Sequence, residues 1–152
     1  MSELTEHGVA LSGLVVEVFR LNGVALETGN ALTQPAGLTS ARWQVLGVVD
    51  HAPAAVATVA RAMGLTRQSV QQTADAMARD GFVEYMENPH HQRANLISIT
   101  PRGRKALADV KRRHATWANR LGARMSAGRL RTLAKGLAEL RTCLEEEVPL
   151  VK

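Results

Sequence analysis

The stretch that decides the fold is ATVARAMGLTRQSVQQTADAMARDGFVEYMENPHHQRANLISIT, residues 57–100. Its first half repeats apolar residues at helical steps. Val56, Val59 and Ala60 mark one face of a block running from Ala54 to Met63, which Gly64 stops. After a tight turn containing Leu65, Thr66 offers a hydroxyl cap to a second block, whose inward residues Val70, Ala74 and Met77 lead to Gly81. Two short helices about a tight turn, the second opening on polar side chains, have the anatomy of a helix-turn-helix.

After Gly81 the period changes. Phe82–Met86 and Leu96–Ile99 are short β-prone runs flanking a polar stretch, 87–95, that contains Pro89. Together they read as a β-hairpin with a long tip. Reading duplex DNA calls for such a unit, because the second helix must bring its N-terminal side chains to base edges in the major groove. Its N-terminus also favours a nearby phosphate. Gln68, Ser69, Gln72 and Thr73 are uncharged hydrogen-bonding groups set away from the apolar stripe. Glutamine pairs with adenine through two bonds, and threonine offers a methyl to thymine. Arg67 reaches guanine or a phosphate. Such residues alone would equally solvate a surface helix. What favours DNA is the hairpin with His90, His91 and Arg93, followed by Arg102, Arg104 and Lys105. The candidate DNA contacts are therefore Thr66, Arg67, Gln68, Ser69, Gln72, Thr73, His90, His91 and Arg93.

Working outward, Ser40 is placed to cap a helix through Trp43, Val45, Leu46 and Val49 that ends before Pro53. Upstream, Leu11, Leu14, Val15, Val18, Leu21 and Ala25 recur mostly at steps of three and four, predicting a helix over 5–30. Gln34-Pro35-Ala36-Gly37 breaks it. Downstream, Pro101 suits the first turn of a long helix with Leu107, Val110, His114, Trp117, Leu121 and Met125 on one face. Ser126 then caps a last helix, where Leu130, Leu133, Leu137, Leu140 and Leu144 form a heptad-like seam.

Composition agrees. Of 152 residues, 45% are hydrophobic but only 3% aromatic, so the core is built from aliphatic side chains, which favours helices. The net charge of +5 suits a polyanionic partner. Residues 1–39 hold one base, Arg20, against Glu3, Glu6, Glu17 and Glu27, so the excess of positive charge lies beyond them. A single cysteine, Cys143, excludes an intrachain disulfide and fits a reducing compartment. The N-terminus lacks the charged region and apolar run of a signal peptide. No uninterrupted apolar stretch approaches the ~18 residues of a membrane span. A cytoplasmic location is expected.

GLTRQSVQQTADAMARDGFVEY, 64–85, and ENPHHQRANLISITPRGRKAL, 87–107, resemble the MarR family of winged helix-turn-helix regulators. The likeness runs from about Leu38 to Leu107, and the wing carries its most specific part: Asn88-Pro89, Arg93, Leu96, Ile99-Thr100 and Gly103. It implies a mainly α fold with a small β-hairpin wing, in one domain. Residues 36–104 would form the DNA-binding lobe, with 1–35 and 105–152 a helical dimerisation region. It makes Arg93 the wing-tip arginine of the minor groove, whose negative potential suits a guanidinium. It also implies a small aromatic or phenolic effector in a crevice beside the dimer helices, with Phe19, Arg42, Trp43, Leu46 and His51 as lining candidates. Independently, a terminal helix with five seam leucines needs a partner surface, and a homodimer suits paired half-sites.

Three positions depart from the family. His91 stands where it usually has Asp, Gln92 where it has a basic residue, and Tyr85 where it often has Arg. The Asp typically steadies the wing arginine, which neutral His91 cannot do. That implies a looser wing, or one whose grip on DNA strengthens as the imidazole gains a proton. Peroxide-sensing relatives use a cysteine near the first helix, whereas Cys143 lies in the last, beside the acidic run Glu145-Glu146-Glu147 that disfavours a thiolate. The five histidines show no paired helical spacing for a metal. No nucleophile motif, phosphate-cradling glycine loop or His-Glu-His set argues for an enzyme, and no cofactor is expected. The alternative is a winged-helix protein-interaction module with weak or lost DNA binding.

Overall fold

The computed structural model describes residues 3–91 and 94–148. Helix α1, Glu6–Thr33, is capped by the Thr5 hydroxyl, and a single 3-10 turn, Gln34–Ala36, ends at Gly37 in the left-handed region. Helices α2 (Ser40–Val49), α3 (Val56–Met63) and α4 (Arg67–Arg79) follow, then strands β2 (Val83–Met86) and β3 (Leu96–Ile99). A two-residue strand, β1 (Ala54–Ala55), precedes α3 and completes an antiparallel sheet of order β1-β3-β2. Helices α5 (Pro101–Gly122) and α6 (Ala127–Glu147) close the chain. This is the expected mainly α fold with a small β wing, enlarged by one strand.

Two compact units divide the chain, Met1–Lys111 and Arg112–Lys152. The core lies in the first. Val45, Leu46 and Val49 of α2, Val59 of α3, and Val70, Ala74 and Met77 of α4 are buried with Ile97 and Ile99 of β3 and Leu107 and Val110 of α5. Its side chains are nearly all aliphatic, as the scarcity of aromatics requires.

The hairpin register sets Val83 against Ile99 and Tyr85 against Ile97. One face of each strand therefore meets the core, and Glu84 and Met86 face out. At the hairpin base, Gly103 passes so close to β2 that a Cβ would fall on the Phe82 carbonyl. Thr100 closes the corner: its hydroxyl donates to the Gly81 carbonyl at 2.6 Å and accepts from the Gly103 amide at 3.1 Å.

Two sequence expectations shift. The cap of α2 is Thr39, which accepts from the Arg42 amide, and not Ser40. Ser40 is the first helical residue, and its hydroxyl donates instead to the Leu26 carbonyl at 2.8 Å while its amide donates to Asn30 Oδ1 at 2.8 Å. Gly29 permits this approach, since a Cβ there would overlap the Ser40 hydroxyl. These contacts hold the end of α1 to the start of α2. The second shift is Ala54–Ala55, read as the start of a helix but paired with Ile97 and Leu96 of β3.

Helix α1 and the turn after it, Glu6–Ala36, are long and apolar enough to cross a membrane by length and composition, with a mean hydropathy of 1.6 over their most apolar 18 residues. Helices of soluble proteins pass the same test. The apolar character is dispersed rather than continuous, and Glu17 and Arg20 pair across the exposed surface at 3.7 Å. Val9, Leu14, Phe19 and Val24 are all exposed. In the second unit, α6 has no buried residue among those described, and Leu130, Leu133, Leu137 and Leu144 stay open. On α5, the His114 and Trp117 rings lie 5.5 Å apart.

Candidate nucleic-acid interface

The site is built on α4. Helix α3 ends at Gly64, whose positive φ lets the chain reverse, and the Leu65 amide bonds back to the Ala60 carbonyl at 2.9 Å. Thr66 caps α4 by accepting from the Ser69 amide at 3.1 Å. Its hydroxyl proton remains for a second partner. With Val70, Ala74 and Met77 turned into the core, Arg67, Gln68, Ser69, Gln71 and Gln72 are exposed and Thr73 is half-buried. The uncapped amides and macrodipole at this end favour an anion. Of the nine residues picked from the sequence, Thr66 is thus the cap and five others occupy the first two turns of α4.

His90 and His91 are exposed at the hairpin tip. Asn88 shapes the turn by accepting from the His90 amide through its side chain at 3.0 Å and from the His91 amide through its carbonyl. Arg93 and Gln92 lie outside the described residues. Between α4 and the wing runs an open groove of about 530 Å³, flanked by Arg67, Gln68 and Gln71 on one side and by Tyr85 and Asn95 on the other.

The sequence reading passed over Gln71 and Asp75 here and named Tyr85 only as a departure from the family. Tyr85 donates its phenolic proton to Asp75 Oδ1 at 2.6 Å, tying β2 to α4. Gln71 Nε2 donates to the same carboxylate oxygen at 2.9 Å and to the Tyr85 oxygen at 2.9 Å. These bonds hold the Asp75 carboxyl below its ordinary range, the Tyr85 bond most strongly and the Gln71 bond next. Burial, then the Asp75 bond, push the Tyr85 phenol up to about 12. A phenol-to-carboxylate hydrogen bond, assisted by the aspartate's charge, thus joins wing to helix. The i,i+4 spacing of Gln71 and Asp75 was a signal in the sequence; the Tyr85 contact, ten residues on, was not.

At the far end of α4, Arg42 pairs with Asp80 at 2.6 Å. The guanidinium groups of Arg42 and Arg102 lie 5.7 and 4.8 Å from the Phe82 ring centre. Asp50, after α2, pairs with Lys111 at 2.6 Å and Arg104 at 3.6 Å, and the Lys111 bond lowers its pKa.

A second cavity, about 360 Å³, opens between α1 and α2 beside Asn22, Leu26, Trp43, Gln44 and Met63. Of the five effector-lining candidates, Trp43 borders it. The structure does not gather the other four there. Leu46 is wholly buried in the core, Arg42 is engaged with Asp80 and Phe82, Phe19 is 71% exposed on α1, and His51 is exposed beyond α2. The family resemblance named them without fixing which face of each helix meets which neighbour. Among the described residues no group of three or more His, Cys, Asp or Glu is placed to hold a metal.

A capped polar helix beside a hairpin wing, on an aliphatic core, defines a winged helix-turn-helix regulator. The model of the MarR family matches residues 36–94. The chain is 32% identical over 139 residues to an uncharacterized protein of Mycobacterium tuberculosis, covering 91% of this chain and 97% of that one. Among solved structures, the transcriptional repressor CouR bound to a 23-mer DNA duplex aligns at 25% identity with a TM-score of 0.76, over 92% of this chain and 99% of that one. CouR from Rhodococcus jostii RHA1 bound to p-coumaroyl-CoA aligns at 22% identity with a TM-score of 0.73, over 84% and 90% of the two chains. The chain belongs to the MarR family of transcription regulators.

Proposed function

We propose that this protein is a cytoplasmic, homodimeric repressor that binds operator DNA through two winged lobes and is released by a small ligand. The observation that carries the reading is the exposed polar start of α4, capped by Thr66 and set beside the wing groove. In this reading Arg67, Gln68, Ser69, Gln72 and Thr73 meet base edges and phosphates of the major groove, with Thr66 at the helix mouth. His90, His91 and Arg93 address the adjacent minor groove. The likeness to DNA-bound CouR supports it.

The exposed apolar faces of α1 and α6 support dimerisation, because a soluble monomer rarely leaves so many large aliphatic side chains in water. Residues 1–35 and 105–152 supply that interface. Two copies then present two recognition helices to half-sites about one turn, roughly 34–36 Å, apart. For the effector, the cavity beside Trp43 has room for a small aromatic or phenolic group, and CouR bound to p-coumaroyl-CoA supports that class.

Operator affinity measured against salt tests the proposal. Binding through several phosphates falls steeply as salt rises. Arg93→Ala should lower affinity at least tenfold, the scale of one lost base or groove contact, with the oligomeric state unchanged. A chain that binds no genomic fragment in a salt-dependent way is instead a protein-interaction module.

A further inference from the structure

We infer that the cavity beside Trp43 takes an uncharged aromatic molecule, a phenol, amide or ester, and turns away the corresponding carboxylate. The inference rests on the effector reading above and names the class of ligand for that site.

The Trp43 indole, the Leu26 side chain and the Met63 thioether give the cavity walls that suit an aromatic ring. Among the described residues that line it, none carries a charge. The cation next to Trp43 in sequence, Arg42, is spent elsewhere, on Asp80 at 2.6 Å and on the Phe82 ring. A bound carboxylate would therefore need its donors from the start of α2, where they are already used. The Ser40 amide is given to Asn30 Oδ1, the Ser40 hydroxyl proton to the Leu26 carbonyl, and the Arg42 amide to the Thr39 hydroxyl.

The polar groups left to a guest are two carboxamides, Asn22 on α1 and Gln44 on α2. Neither side chain has a hydrogen-bond partner among the described residues. Each offers N–H donors and a carbonyl acceptor without net charge. A hydroxyl, an amide or an ester is matched by such groups. A carboxylate would give up its hydration and meet carbonyl oxygens as readily as N–H groups. With no cation to offset it, the loss of hydration dominates.

The test uses the full-length protein and two molecules of nearly one shape, 4-hydroxybenzamide and 4-hydroxybenzoate, titrated by calorimetry at fixed salt. At pH 7 the amide should bind at least about tenfold more tightly. Only the protonated fraction of the benzoate should enter. Its apparent affinity should thus rise about tenfold per unit as pH falls from roughly 7 towards its carboxyl pKa of roughly 4, while that of the amide stays level. Gln44→Lys puts an ammonium on the wall and should bring the benzoate to at least the affinity of the amide. Gly47 borders the cavity with open space at its Cβ position, and leucine suits a helix better than glycine. Gly47→Leu should therefore lower affinity for the amide about tenfold with the fold intact, which locates the guest. Wild type that binds the benzoate as tightly as the amide at pH 7 overturns the inference. So does a Gln44→Lys variant with the wild-type preference, or amide binding that Gly47→Leu leaves unchanged. If neither molecule binds or releases operator DNA, and the cinnamate and cinnamamide pair behaves alike, the effector reading itself has failed.

Discussion

Helices α4 and α6 are both amphipathic and both capped by a hydroxyl, Thr66 in one and Ser126 in the other. Their apolar faces end differently. Val70, Ala74 and Met77 of α4 are buried in a core shared with α2, α3, β2, β3 and α5. The leucines of α6 remain 38–50% exposed at positions 130, 133, 137 and 144. Periodicity identifies an apolar stripe but does not say whether its partner is on the same chain. The stripe of α4 is completed within the chain, whereas that of α6 stays open, as the proposed homodimer requires.

Breaking the open stripe should have the largest effect. Leu137→Asp puts a carboxylate on the proposed interface and should raise the dimer dissociation constant more than about a hundredfold, roughly the 3 kcal/mol that a buried unpaired charge costs. Sedimentation at micromolar concentration reads this directly, with the lobe still folded. A variant that remains as dimeric as wild type would remove α6 from the interface.

Breaking the closed side should come next. Gly103→Ala drives a methyl into the Phe82 carbonyl and against Ile99, and backbone cannot step aside as a flexible side chain can. Thermal or denaturant unfolding should show a loss of about 3 kcal/mol, the upper end for overpacking. A loss within error would mean that the hairpin base moves freely against α5.

The smallest effect lies at the rim of the lobe. The Lys111 bond depresses the pKa of Asp50 in the folded chain, so its ionised form stabilises the fold above the ordinary value of 3.8. That stabilisation is lost as pH falls through the lower, folded value. Asp50→Asn should therefore give a shallower acid limb of stability than wild type and lose under about 1 kcal/mol at neutral pH, since Lys111 and Arg104 are themselves solvent-exposed. Parallel acid limbs for the two proteins would show that the pair contributes nothing.

The reading head was largely legible from sequence because its limits are set locally. Gly64 and Gly81 take up left-handed conformations, and Thr66 caps α4 where its position suggested. Local signals fail when two neighbours offer the same chemistry. Thr39 and Ser40 both carry hydroxyls, and which one caps α2 depends on Ser40 reaching back to Leu26. They fail too for strands as short as Ala54–Ala55, where two residues leave no period to detect. The candidate site divides similarly. The exposed positions of α4 follow from its 3.6-residue repeat, whereas the Gln71–Asp75–Tyr85 triangle depends on how β2 returns across the helix. The cavity beside Trp43 was hardest to foresee, because its walls come from α1, α2 and Met63 and no single stretch encodes them.

At residue 29 there is room for a hydrogen atom and nothing larger, and around it Ser40 engages both Leu26 and Asn30. The end of α1 is therefore geared to the start of α2 rather than resting on it. Sliding one past the other would break two hydrogen bonds and wedge the Ser40 hydroxyl against backbone. The cavity beside Trp43 adjoins this same joint, with Gly29 and Ser40 in its wall. Whatever occupies that cavity therefore lies against the joint itself.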